Sequence, residues 1–206
     1  MKGRIEIVRI GEVKDELVRA LSRSLAEILR VEVREGPKFP EVIYYPPDIA
    51  SPRHRLLREP IFRPDNIIYG FGARRRRIMG RQLLQLLASM GLESERVLGV
   101  TTMDIYAPTL NFIFGEADSE SGVAVISIHR LRQEFYGLPP DEELLKERAL
   151  KEALHELGHT WGLSHCPDPR CVMFFSTSLS DTDRKAAAFC GRCRSELEIR
   201  GECRLL

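Results

Sequence analysis

His155-Glu156-Leu157-Gly158-His159-Thr160-Trp161-Gly162-Leu163-Ser164-His165 is the stretch on which the reading of this chain turns. On a helix, residues four apart share one face, so His155 and His159 present two imidazoles to a single point. Gly162 lets the backbone leave the helix, because glycine tolerates the left-handed conformation. His165 can then return to the same point from another direction. Three nitrogens with a fourth position left for water are the ligand set of a catalytic zinc ion, which lowers the pKa of that water to about 7. Glu156, next to the first ligand, can reach the water as general base. A bare His-Glu-x-x-His also occurs on ordinary helices. Gly162 and His165 at the required offsets are what make the pattern specific.

Immediately downstream, Cys166-x4-Cys171 and Cys190-x2-Cys193 supply four thiolates in two close pairs. Their number and pairing suit a closed structural zinc site; two disulfides are the alternative. All five cysteines fall after residue 165, whereas a secreted disulfide framework staples the whole chain. Cys203 is left over as a free thiol. Because Cys166 follows His165, the two sites share backbone, and the four-cysteine zinc is expected to steady the loop that carries the third histidine. Ser180-Asp181-Thr182-Asp183 reads as a helix N-terminus with Ser180 as cap, delivering Cys190 and Cys193 on one face.

Upstream, Pro139-Pro140-Asp141-Glu142-Glu143 is a helix start, and that helix should run to about Trp161. Residues 5–10 read as a buried strand, Lys14 to Arg30 as a helix with Leu17, Leu21, Leu25, Ile28 and Leu29 on one stripe, and Val31 to Val33 as a second strand. That order predicts an α/β layer with a parallel pair. Gly36 to Pro64 is proline-rich loop with a strand over Val42 to Tyr45. Ile78 to Met90 reads as a helix ended by Gly91. Strands follow over Val97 to Tyr106, Asn111 to Glu116 and Gly122 to His129, the last two forming an antiparallel hairpin across an acidic turn.

The chain has 206 residues, enough for one substantial core, and a formal net charge of +1 that singles out no partner. No run of about 18 apolar residues offers a membrane span, and no apolar leader core follows Met1, so the expected location is cytoplasmic. Five Asn and Gln residues (Asn66, Asn111, Gln82, Gln85, Gln133) against 30% charged residues hint at a heat-adapted source. Residues 51–81 hold nine Arg against Glu59 and Asp65. Arg74 to Arg77 would oppose the dipole of the helix they precede, and read either as a solvated, ion-paired face or as a surface for an acidic partner. Few aromatics accompany them, namely Phe62, Tyr69 and Phe71, which argues against nucleic acid. His54 and His129 are assigned to structure, and a monomer is expected.

His155 to His165 with Cys166, Cys171, Met173, Cys190 and Cys193 resembles the archaemetzincin family of zinc metallopeptidases. A softer likeness runs upstream through Gly99-Val100-Thr101, Asp104, Asn111 to Ala117 and Ser127 to Leu131. The resemblance implies an α/β (α+β) metzincin-like fold: a twisted mixed sheet with an antiparallel edge strand, an active-site helix, and a small zinc-stapled C-terminal part. Residues 1–162 would form the upper part and residues 163–206 the lower part of one compact domain. It implies two zinc ions, one catalytic on His155, His159 and His165 and one structural on Cys166, Cys171, Cys190 and Cys193. Met173 would occupy the Met-turn beneath the catalytic ion. The edge strand that pairs with peptide or protein substrates would fall within Asn111, Phe112, Ile113, Phe114, Gly115 and Glu116. Two departures stand out: Phe175 replaces a tyrosine found in certain metzincins and cannot donate a hydrogen bond, and no cysteine precedes His165 to serve a latency segment. Peptide-bond hydrolysis is the leading expectation. A zinc-bearing binding protein with little turnover, using the cleft and the Arg-rich surface, and hydrolysis of a small amide are its rivals.

Overall fold

The computed structural model describes residues 3–39, 68–69 and 76–200. Apolar runs make the central strands. β1 (Arg4–Ile10), β5 (Arg96–Thr101) and β9 (Val123–Ser127) lie side by side in parallel, because both faces of each are buried and near-continuous Val, Ile and Leu suit that position. β2 (Glu32–Phe39), charged and largely exposed, adds in parallel at one edge, after the crossover helix α1 (Asp15–Leu29). β8 (Gly115–Asp118) adds antiparallel to β9 at the other edge, completing the order β2-β1-β5-β9-β8.

Period-two alternation divides the side chains between two cores. Ile5, Ile7, Leu98, Val100, Ala124 and Ile126 face α1 and the long helix α3 (Glu142–Thr160). Val8, Ile10, Val97, Val123 and Val125 face α2 (Gly80–Ser89), which packs Leu83, Leu84 and Leu87 on them. The α3-side core continues without a break into Cys166, Cys171, Val172, Met173, Phe189, Cys193 and Leu197. Thus the segment after α3, with its short helices α4 (Leu179–Arg184) and α5 (Gly191–Ile199), is built onto the same core as the sheet. This mixed α/β architecture, with its antiparallel edge strand, matches the fold class expected from the sequence.

Several boundaries differ from expectation. The strand read over Val97 to Tyr106 breaks into β5 and β6 (Asp104–Ala107), because Thr101 Oγ1 accepts the Met103 N–H and turns the chain out of the main sheet. The strand read over Asn111 to Glu116 likewise divides, β7 (Leu110–Ile113) pairing with β6 and β8 with β9. A second sheet results, ordered β3-β4-β6-β7 with β3 at Ile68–Tyr69 and β4 at Arg76–Met79. Ile78 and Met79 therefore belong to a strand, and α2 begins only at Gly80. Arg77 lies in that strand, three residues ahead of α2, and is tied down there: it sits 3.0 Å from buried Asp104 and donates to the Asn111 carbonyl at 2.8 Å. Asp104 thus compensates the Arg77 charge ahead of the helix. Ser178, not Ser180, caps α4, with Asp181 completing the capping box. Cys190 caps α5 instead of sharing a helix with the residues after Ser180. Val42 to Tyr45, His54, Phe62, Phe71, Arg74, Arg75 and Cys203 lie outside the described residues.

Candidate active site

α3 carries the site. Asp141 caps it by accepting the Leu144 N–H at 2.9 Å, and Glu142 and Glu143 complement the dipole in its first turn. From Arg148 onward it is buried nearly all round, including Arg148, Lys151, Glu152, His155 and Glu156. Buried charges must be paired, and Arg148, Lys151 and Glu152 are. Arg148 forks onto Asp183 at 2.6 and 2.7 Å and donates to the Leu131 carbonyl at 2.9 Å. Lys151 bridges Glu147 at 2.6 Å and donates to the Asp183 carbonyl at 3.1 Å. Glu152 meets Lys185 at 3.0 Å and accepts from the Thr182 hydroxyl at 2.9 Å.

Trp161 closes the helix, and Gly162 (φ 82°) turns the chain in a conformation that a Cβ would strain. The turn brings His165 back over the helix end. The ring centroids of His155, His159 and His165 lie 4.7, 5.3 and 4.7 Å apart, and one donor nitrogen from each falls within 4.8 Å of the others. His155 is 4% exposed, His159 half-buried and His165 exposed, so the cluster opens to solvent on one side.

Backbone carbonyls set the tautomers. His155 Nδ1–H donates to the Val172 carbonyl at 2.8 Å and His159 Nδ1–H to the Leu163 carbonyl at 2.7 Å. Their Nε2 lone pairs are thereby turned inward, 3.1 Å from each other. Burial lowers the pKa of all three histidines, and the Lys185 charge lowers it further, so they are neutral near pH 7. Convergent neutral imidazoles with anchored far nitrogens are the donor set that fits a zinc ion.

Glu156, 5% exposed, follows the first of them on α3. Burial, reinforced by Glu152, raises its carboxyl pKa well above the ordinary carboxylate value. Its side chain rests on Gly115, the first residue of edge strand β8: a Cβ there would come within 2.5 Å of Glu156 Cγ and Oε1. Gly115→Ala should therefore displace the carboxylate; the expected result is a fall in hydrolysis with metal content at the histidines unchanged, read by elemental analysis beside a peptide assay. Of the five residues read as substrate-contacting, only Gly115 lies in the main-sheet edge strand. Asn111, Phe112 and Ile113 belong to β7, and Phe114, buried, links the two strands. Phe112 stacks under the Arg130 guanidinium at 4.4 Å, and Arg130 in turn forks onto Asp104 at 2.7 and 2.8 Å.

Met173, fully buried, presses its sulfur against Gly158, where a Cβ would lie 2.4 Å from Sδ. Its carbonyl accepts the Cys166 N–H at 2.9 Å, tying the turn to the residue after His165. Phe175 is 40% exposed and packs on His165 with centroids 4.7 Å apart. His129, assigned to structure, has Nδ1 3.2 Å from the Thr102 carbonyl and its ring against Phe135.

Cys166, Cys171, Cys190 and Cys193 form a second cluster, with all four sulfurs within 4.8 Å. They are free thiols. The two closest pairs, Cys166 with Cys190 and Cys171 with Cys193, stand 3.7 and 3.8 Å apart, far beyond the disulfide bond of about 2.05 Å. Burial pushes the Cys190 thiol up, but hydrogen bonds from Cys193 N–H and its neighbours bring it down to about 7. Arg192 donates to the Cys166 sulfur at 3.5 Å. The donor set fits a closed four-thiolate zinc site.

Sequence reading missed the buried pairs Glu152–Lys185, Arg148–Asp183 and Asp104–Arg130. For the first two a signal existed: Arg148 and Glu152 stand seven and three residues before His155, on the helix face that must be buried to present it.

The family model of peptidase family M54 matches residues 61–199. An archaemetzincin of Pyrococcus abyssi is 41% identical over 203 residues, covering 96% of each chain. The crystal structure of archaemetzincin from Methanopyrus kandleri superposes with a TM-score of 0.72 at 35% identity, covering 98% of this chain and 96% of that one. A zinc-dependent peptidase from Methanocorpusculum labreanum gives 0.71 at 29% identity, covering 94% and 99%. A family match over most of the chain, carried by the same helix and turn that gather the histidines, means that this chain belongs to peptidase family M54, the archaemetzincins, and is a zinc metallopeptidase.

Proposed function

We propose that the chain hydrolyses peptide bonds with His155, His159 and His165 holding one zinc ion and Glu156 moving the proton. The observation that carries this reading is the convergence of three neutral imidazoles beside one buried carboxylate. When bound, zinc polarises the scissile carbonyl and brings the pKa of its water to about 7. Glu156 takes a proton from the attacking water and passes it to the leaving amine. Burial raises its pKa above the ordinary carboxylate value, the direction that favours holding the proton taken from water until it passes to the amine. Phe175 offers no hydrogen bond to the substrate, so orientation falls to the backbone.

β8 is the natural seat for that orientation. It is the antiparallel edge of the main sheet and begins at Gly115, against Glu156, so an extended peptide paired along it by main-chain hydrogen bonds would lie next to the carboxylate. Cys166, Cys171, Cys190 and Cys193 hold a second, structural zinc ion, steadying the backbone from His165 through Met173. Four free thiols in one cluster suit a reducing, cytoplasmic setting. No helix among the described residues is long and apolar enough to cross a membrane.

A mixed peptide library incubated with zinc-loaded protein, with and without chelator, tests the proposal. Chelator-sensitive cleavage at defined positions is the expected result. Intact peptides alongside a fully loaded histidine centre would favour the binding-protein reading instead.

A further inference from the structure

We propose that Lys185 is a positioning residue for the three-histidine centre, acting through its buried ion pair with Glu152. Lys185 is 1% exposed, which is rare for a lysine and costly unless the charge is compensated. Among the described residues its ion-pair partner is Glu152, at 3.0 Å. Glu152 is itself buried and also accepts from Thr182 Oγ1 at 2.9 Å. It stands three residues before His155 and four before Glu156 on α3, so the pair lies on the helical turn beneath both.

A continuous set of hydrogen bonds leads from this pair to a ligand ring. Lys185 N–H is held by the Asp181 carbonyl, and the residue after it, Ala186, donates its N–H to the Arg170 carbonyl at 2.9 Å. Two residues further, the Ala188 carbonyl accepts the Val172 N–H at 2.9 Å. The Val172 carbonyl in turn holds His155 Nδ1–H at 2.8 Å. Residues 185–188 are thus a strap between the Glu152 carboxylate and the carbonyl that orients His155. Arg148 on Asp183 holds the chain just before that strap, the Cys190 and Cys193 thiols lie just after it, and Lys185, its first residue, ties it to α3. A surface anchor would tolerate small shifts; a buried ion pair does not, because separating the charges strands one of them away from water.

The inference rests on the zinc reading above, and its test keeps the two apart. Cobalt(II) is titrated into metal-free parent, Lys185→Met and the double variant Glu152→Leu/Lys185→Met. Thiolate charge-transfer bands report the cysteine site, weaker visible bands report the histidine site, and denaturant unfolding reports stability. In Lys185→Met the histidine-site affinity should fall about 10- to 100-fold, as for other residues that orient ligands, with the thiolate bands unchanged. The double variant, which buries no lone charge, should regain stability yet keep at least about a tenfold loss at the histidines. If Lys185→Met does not fold, the double variant decides alone. Histidine-site affinity within about twofold of the parent, in either variant that folds, would overturn the proposal. A parent that binds no cobalt at the histidines would instead sink the zinc reading.

Discussion

Glu156→Gln is expected to leave zinc at the three histidines and to reduce peptide hydrolysis by about a hundred- to ten-thousand-fold, the usual contribution of a positioned general base. The substitution is nearly isosteric, so the close fit against Gly115 survives. It removes only the ability to take and return a proton. Burial makes the position unforgiving: at 5% exposure few solvent waters can stand in for the carboxylate. Elemental analysis for metal and a quenched-fluorescence peptide assay on the same preparation separate binding from turnover. Activity within about tenfold of the parent would mean that Glu156 is not the base.

The second large effect is expected at the thiolate cluster. Cys171→Ser removes one of four sulfurs from the site proposed to hold the second zinc ion; such an ion contributes folding free energy directly, about 10–16 kcal/mol in small zinc-finger peptides. Loss of more than about 4 kcal/mol of stability is the expected outcome, in the range reserved for lost metals and broken buried networks. The damage should not stay local. Cys171 immediately precedes Val172, whose carbonyl holds His155, and Cys166 immediately follows His165. Loosening the cluster therefore loosens two ligands of the other centre, and weaker zinc binding at the histidines should accompany the loss of stability. Full histidine-site occupancy at unchanged affinity in this variant would show the two centres to be independent.

The convergence of the three histidines was legible because its geometry is local. His155 and His159 need only a helix, and Gly162 supplies the turn for His165 through its own conformational freedom. The central strands were legible for a similar reason, since apolar runs such as Val123 to Ile126 have no stable place but a buried sheet. Boundaries decided by tertiary partners were not. Nothing in Asn111 to Glu116 says that its two halves pair with different sheets, because the decision belongs to β6 and β9. Arg77 looked like a helix-start cation; its partner Asp104 lies 27 residues away, beyond any local rule. Lys185 was equally invisible: a lysine after a short helix reads as surface until the fold closes over it.

Beneath the catalytic account lies one arrangement, three neutral rings converging on a solvent-accessible point with a protein-free position left for water and substrate. Anomalous scattering at the zinc edge from crystals of zinc-loaded protein tests it most directly. One peak is expected among the ring nitrogens of His155, His159 and His165, with its remaining coordination position facing the cleft, and a second peak enclosed by the four cysteine sulfurs. No peak at the histidines, or a peak there whose last position is filled by a protein side chain, would contradict it.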